Sequence, residues 1–272
     1  MSAMNDMDLM REYADHDSET AFAELVHRHV NLVYSVALRF TGNSHDAQDV
    51  TQAVFVILAK KTTSLRQRTN LAGWLYEATR FTSSQLLRAR ARQQAREQEA
   101  FMQSTLNDSE TDSLWRQLAP LLENAMSRLS EKERTLVALR FFENRSVAET
   151  AAALGIQEWA TRKRVERAME KLRGYFYKHG VVSTTATLAE AISANSVQAA
   201  PAMLAKAVTA TAFAKGATAS NSILTLIKGA LKIMAWTKAK TAIVIGVGIL
   251  LASGTTTVAV KEIAAHRGEV WQ

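Results

Sequence analysis

Arg162, Lys163, Glu166 and Arg167 stand near the start of EWATRKRVERAMEKLR (158–173), a stretch that also carries Thr161, Val165, Ala168, Met169 and Leu172 at helical intervals. The second set predicts the buried stripe of a helix, which leaves the four charged side chains facing outward. Their chemistry is recognition: an arginine suits both guanine edges and phosphate. Trp159 sits at the same end, and the sequence leaves open whether it meets a ligand or folds back. A helix of this kind needs a second one to fix its angle, and SVAETAAALG (146–155) supplies it. Val147, Ala151 and Leu154 line its inner face, Gly155 gives the tight turn and Ile156 plugs the corner. The spacing is that of a helix-turn-helix, whose second helix enters a DNA major groove N-terminal end first. A helical hairpin with a solvated charged face would show the same pattern.

No reacting group competes with this reading. His27 and His29 are two residues apart, too close to share a helical face, and no carboxylate cluster accompanies them. GVG at 246–248 lies in an apolar run without the rest of a dinucleotide fingerprint. The chain has no cysteine, hence neither disulfide nor thiolate metal site. No enzyme, metal or cofactor is expected. With 33 Lys and Arg against 26 Asp and Glu, the net charge of +7 favours an acidic partner, nucleic acid or an anionic membrane surface. The acidic start, MSAMNDMDLMREYADHD, lacks the apolar centre of a secretory signal, so the N-terminal part is expected in the cytoplasm.

Apolar residues recur every three or four positions through the first 180 residues, and breakers are few, so the fold class is all-α. One helix is expected over 19–40, ended by Thr41-Gly42-Asn43. A second starts near Ser44, a polar loop spans KKTTSLRQRTN (60–70), and a third helix begins near Leu71 and runs into the first basic run, RARARQQARE. Acidic FMQSTLNDSETDS (101–113) reads as a linker between two small helical domains, 8–100 and 114–180. Two capping boxes, Ser130 with Glu133 and Ser146 with Glu149, set helix starts in the second domain.

LSEKERTLVALRFFENRSVAETAAALGIQEWATRKRVERAMEKLR, from Leu129, resembles region four of bacterial RNA polymerase sigma factors. DAQDVTQAVFVILAKK followed by LAGWLYEATR resembles their region two. The order and spacing match the two-domain extracytoplasmic-function type over roughly residues 8–178. The resemblance implies a transcription initiation factor that joins core RNA polymerase and binds promoter DNA, with an anti-sigma factor as a further partner. It implies polymerase docking through Asp46, Asp49, Gln52 and Phe55. An ordinary helix whose N-terminal acids suit its dipole would carry the same residues. It implies minus-thirty-five recognition by Trp159, Arg162, Lys163, Glu166 and Arg167. It also implies capture of flipped minus-ten bases by Lys61, Thr62, Thr63, Ser64, Arg66 and Asn70 of the loop, with Arg80, Ser83, Ser84 and Arg88 of the next helix. Trp74 fits a core anchor better than a stacking platform. Phe81 and Gln85 stand where many relatives have Asn and Asp, and Gln157 is a poorer helix cap than their usual Ser.

Residues 181–222 are rich in Ala, Ser and Thr and read as a flexible or weakly helical linker. An amphipathic helix is expected over 223–236, suited to anionic lipid or to a small core. TAIVIGVGILLASGTTTVAV (241–260) is uncharged over 20 residues, and as a helix would span roughly 30 Å, the bilayer hydrocarbon thickness. A single membrane pass with the sigma-like domains inside the inner membrane is the expectation, since Lys228, Lys232, Lys238 and Lys240 precede it. A buried helix or a partner-binding segment is the alternative.

Overall fold

The computed structural model describes residues 4–65, 70–97, 113–214 and 219–231, and all regular structure among them is helical. Helix α1 (Asp6–His16) was not expected from the sequence. The Asn5 side chain caps it by accepting from the Met7 and Asp8 amides, and Tyr13 packs on Phe22 with ring centroids 4.6 Å apart. Helix α2 (Glu19–Thr41) ends at left-handed Gly42, as the Thr41-Gly42-Asn43 break predicts. Helix α3 (Ser44–Leu65) absorbs the first six residues of the expected 60–70 loop. The reason is burial: Thr62 and Leu65 sit one turn apart on the inner side, 5% exposed each, and hold the last turns against the core. Helix α4 (Leu71–Glu97) follows, and residues 98–112, most of the acidic linker, lie outside the described residues.

The second half comprises α5 (Ser113–Ser127), α6 (Glu131–Val137), α7 (Val147–Leu154) and α8 (Glu158–Lys178). Both capping boxes are present, at Ser130 with Glu133 and at Ser146 with Glu149. After α6 the chain widens into a π-helical turn, Ala138–Phe142, which buries Leu139, Phe141 and Phe142 together. Residues 181–222, read as a linker, instead carry α9 (Thr185–Asn195) and α10 (Leu204–Phe213). An Ala-rich stretch forms ordered helices here because Leu188, Ile192, Leu204 and Val208 give each one a buried face. Residues 221–231 begin a further helix, α11, with Ile223, Leu226 and Ile227 buried. No helix among the described residues is long and apolar enough to cross a membrane. The segment 241–260, and 232–236 of the expected amphipathic helix, lie outside the described residues.

Residues through Lys228 form one compact unit. The two expected domains are therefore docked: Leu32, Val36, Ala72 and Tyr76 of α2 and α4 share a core with Leu118, Leu122, Val137, Phe142, Leu172 and Phe176. Gly73 permits the approach, since a Cβ there would lie 2.7 Å from Thr135 Cγ2 on α6. Buried ions cross the same boundary. Glu123 of α5 accepts from Arg39 Nε at 2.7 Å and from the Tyr76 hydroxyl at 2.8 Å. Burial and then Glu123 push the Tyr76 phenol well above its ordinary value. Arg134 of α6 pairs with Glu77 of α4.

His29 is the third crossing. Its Nε2 lies 2.9 Å from Asp6 of α1, and its Nδ1 lies 3.1 Å from Glu143 beyond the π-helical turn. Burial would lower the imidazole, but the two carboxylates outweigh it and raise it to about 9. Burial would likewise raise Asp6, and His29 with Arg28 instead hold it at about 2. The cost of desolvating buried ions offsets much of their attraction, so these pairs add little net stability, and such a boundary is more polar than a permanent core.

Candidate nucleic-acid interface

The helix-turn-helix is closed by backbone geometry. Gly155 is left-handed at φ 63°, its N–H bonds the Ala152 carbonyl, and the Ile156 N–H bonds the Ala151 carbonyl at 3.0 Å. That is a Schellman end, which a residue with a Cβ would strain. α8 then starts from Gln157, whose side chain makes no capping bond. Thr161 is fully buried. Its hydroxyl donates to the Gln157 carbonyl at 3.1 Å, so a polar residue serves as an apolar one. Ala168, Met169, Leu172 and Phe176 complete the inner face.

What remains outside is the predicted set. Trp159, Arg162, Lys163, Glu166 and Arg167 are all exposed, as is Arg164, and Trp159 projects outward with 65% of its surface free. Among the described residues, Arg162, Lys163, Arg164 and Arg167 are in no ion pair. Several arginines elsewhere are spent on acids: Arg28 on Asp6, Arg39 on Glu123, Arg80 on Glu77, Arg134 on Glu77. Four unneutralised cations on the first turns of one helix give a surface that attracts phosphate and can fork onto guanine.

The residues assigned to the minus-ten element are less uniformly available. Thr63, Ser64 and Arg88 are exposed, while Lys61 is half-buried. Thr62 is buried and donates to the Ala59 carbonyl; Ser64 donates to the Lys61 carbonyl. Asn70 caps α4, its Oδ1 accepting from the Gly73 amide at 3.1 Å. Arg80 pairs with Glu77 and lies 5.3 Å above the Phe81 ring. Ser84 bonds the Arg80 carbonyl, and Ser83 is fully buried with no hydrogen-bond partner among the described residues. Arg66 lies outside the described residues.

The four residues assigned to polymerase docking divide in the same way. Asp46 is 2% exposed and paired with Arg90, and Phe55 has no accessible surface. Gln52 is half-buried. Asp49 is half-buried and accepts from the Ser222 hydroxyl at 2.7 Å. That last contact comes from the C-terminal extension and had no signal in the sequence. His29 is a structural ion, and no cluster of metal-ligating residues occurs among the described residues.

Residues 25–93 match the family Sigma-70 region 2, and residues 125–174 match Sigma-70, region 4. The chain is 29% identical over 168 residues to the ECF RNA polymerase sigma factor SigE of Mycolicibacterium smegmatis, a match covering 61% of this chain and 65% of that relative's length. It is 24% identical to the ECF RNA polymerase sigma factor SigW of Bacillus subtilis, over 57% of this chain and 88% of that one. It is 30% identical to the RNA polymerase sigma factor CarQ of Myxococcus xanthus, over 57% of this chain and 89% of that one.

Proposed function

The chain belongs to the sigma-70 family of RNA polymerase sigma factors, of the extracytoplasmic-function type, and from that premise we propose that it directs core RNA polymerase to promoters. α8 reads the minus-thirty-five element in the major groove, with Arg162 and Arg167 on bases or phosphates and Lys163 on phosphate. The observation that carries this reading is the outward face of α8, where four cations near the N-terminal end of a helix-turn-helix are free of acids. Region two takes the minus-ten element. Thr63, Ser64, Arg80 and Arg88 are its accessible polar groups, and capturing unstacked bases offsets a melting cost of a few kcal/mol. Asp49 and Gln52 on α3 offer the polymerase contact. The bond-making chemistry belongs to the polymerase, and this chain supplies address and strand opening. A single membrane pass at 241–260 would hold this activity at the inner membrane; the lysines before the segment support that orientation.

Run-off transcription by bacterial core polymerase on a library of promoter fragments tests the proposal. Adding the full chain is expected to create discrete start sites that disappear with Arg162→Ala. No new start at any chain concentration, together with no association with core, would overturn it.

A further inference from the structure

The C-terminal extension does not trail from the sigma-like helices; it is packed into them. Val181, Leu188, Ala191 and Ile192 join the core shared by both halves. α9 lies against α5, α8 and the π-helical turn, whereas α10 lies against α2 and α3. The extension thus touches the region-four half with one helix and the region-two half with the next.

Residues 196–200, between those helices, run along α2 in register. The Ser196 carbonyl accepts from Arg39. Ser35 Oγ accepts from the Gln198 amide at 2.7 Å and donates to the Gln198 carbonyl at 3.1 Å. Asn31 Oδ1 accepts from the Ala200 amide at 2.9 Å. The helix residues are four apart and the extension residues two apart. Four helical residues advance about 6 Å and two extended ones about 6.6 Å, so three successive pairs stay matched. Arg39, Ser35 and Asn31 form a polar stripe on α2 that binds this segment through its backbone.

Beyond the stripe, α10 completes the burial of α3. Residues 53–58, AVFVIL, have no accessible surface on any side, which a helix reaches only when every face is covered. Among the described helices, α1, α2, α4 and α10 pack on it, and α10 has the broadest contact after α2. At the start of α11, Ser222 occupies the carboxylate of Asp49, an acid the proposed function gives to the polymerase.

We propose that residues 181–214, together with Ser222, are an inhibitor carried on the same chain, with α9 on region four and residues 196–200 on α2 clipping the two halves together, and α10 and Ser222 covering the α3 face that core RNA polymerase would engage. This rests on the sigma reading above. The state seen here is then the closed one, and the extension must lift from α2 and α3 before the polymerase binds.

The test is the affinity of the full chain for core RNA polymerase, measured by titration for wild type and for Val208→Asp, which sets a charge under α10 where it meets no solvent. Hydrogen exchange reports that α10 has been released. The double variant Asn31→Ala with Ser222→Ala keeps every apolar core residue and removes two of the polar contacts. Val208→Asp is expected to bind core at least tenfold more tightly than wild type, and the double variant about threefold. Release of α10 with affinity unchanged within twofold would overturn the cover. If Arg162-dependent start sites persist in that case, the sigma reading stands alone. If neither wild type nor any variant binds core, both fall.

Discussion

α3 and α8 are nearly the same length, 22 and 21 residues, and they meet their surroundings in opposite ways. α3 is enclosed from Ala53 to Leu58, and its one bonded outward carboxylate, Asp49, is held by Ser222. α8 shows solvent a face with Arg162, Lys163, Arg164 and Arg167 unpaired and Trp159 uncovered. The difference separates two ways of being ready for a partner. A charged face can wait in water because ions are solvated there. An apolar face waits only when something covers it, since each large aliphatic side chain left exposed forgoes about 1.5–3 kcal/mol.

The largest expected effect falls on the covered helix. Ile57→Ala should cost about 2–5 kcal/mol of stability, through lost transfer energy and the cavity left in an enclosed site. Arg162→Ala on the open helix should change stability by less than about 0.5 kcal/mol. Urea unfolding of the two variants checks this, and equal losses would abolish the contrast. Next in size is the effect on DNA. Arg162→Ala should weaken binding to promoter duplex by about 1–3 kcal/mol and relax preference at one base position if it forks onto guanine. Lys163→Ala should instead lower affinity evenly across sequences and reduce the salt slope by about one phosphate contact. Fluorescence anisotropy over a salt series separates the two outcomes.

The open helix was legible residue by residue because its signal is local. A capping box, a glycine and an apolar stripe fix α7 and α8, and subtraction leaves the charged face. The helix starts at Ser44 and Leu71 were legible for the same reason. α3 was legible as a helix, but AVFVIL names no neighbour: a run that is apolar on every side demands burial without saying under what. The neighbour proved to be an Ala-rich stretch that composition alone assigns to a linker. Its few large residues, Leu188, Ile192, Leu204 and Val208, are too sparse to register until their packing is seen. The loop at 60–65 misled for the converse reason, since its polar side chains bond their own helix and leave Leu65 to face the core. For His29, nothing local pointed to Asp6, 23 residues away, or to Glu143.

That histidine ties the enclosed half to the open one, which makes the tie sensitive to pH. The groups facing it are Asp6 and Glu143, themselves paired with Arg28 and Arg145. His29 is raised from 6.5 to about 9, so its contribution is complete below about pH 6.5 and is lost as pH rises through 9. Asp6 is lowered from 3.8 to about 2, so its contribution is present above pH 3.8 and lost as pH falls toward 2. The tie is therefore firmest between about pH 4 and 6.5. Hydrogen exchange, corrected for intrinsic rate, should show α1 and the turn around Glu143 opening between pH 7 and 9.5, with the outer face of α8 unchanged. His29→Gln should flatten that dependence, and a wild-type profile already flat would sever the link.

The smallest effect concerns the first turn of α8 itself. Its neighbour α7 begins with a full capping box, while Gln157 leaves the α8 amides without a side-chain acceptor. Gln157→Ser should supply one, since Ser at this position accepts from the second or third amide of the helix. The gain is about 0.5–1 kcal/mol, a rise in melting temperature of roughly 1–4 °C for a chain of this size. Ser146→Ala, which removes the cap of α7, should shift it down by a similar amount. If Gln157→Ser stabilises the chain and also weakens DNA binding, the uncapped amides themselves hold a backbone phosphate in the complex, because a helix N-terminus with free N–H groups is an anion site. If it stabilises without touching affinity, the open face works through its side chains alone, and the missing cap is only a local weakness that tertiary packing of Thr161 and Ala168 overrides.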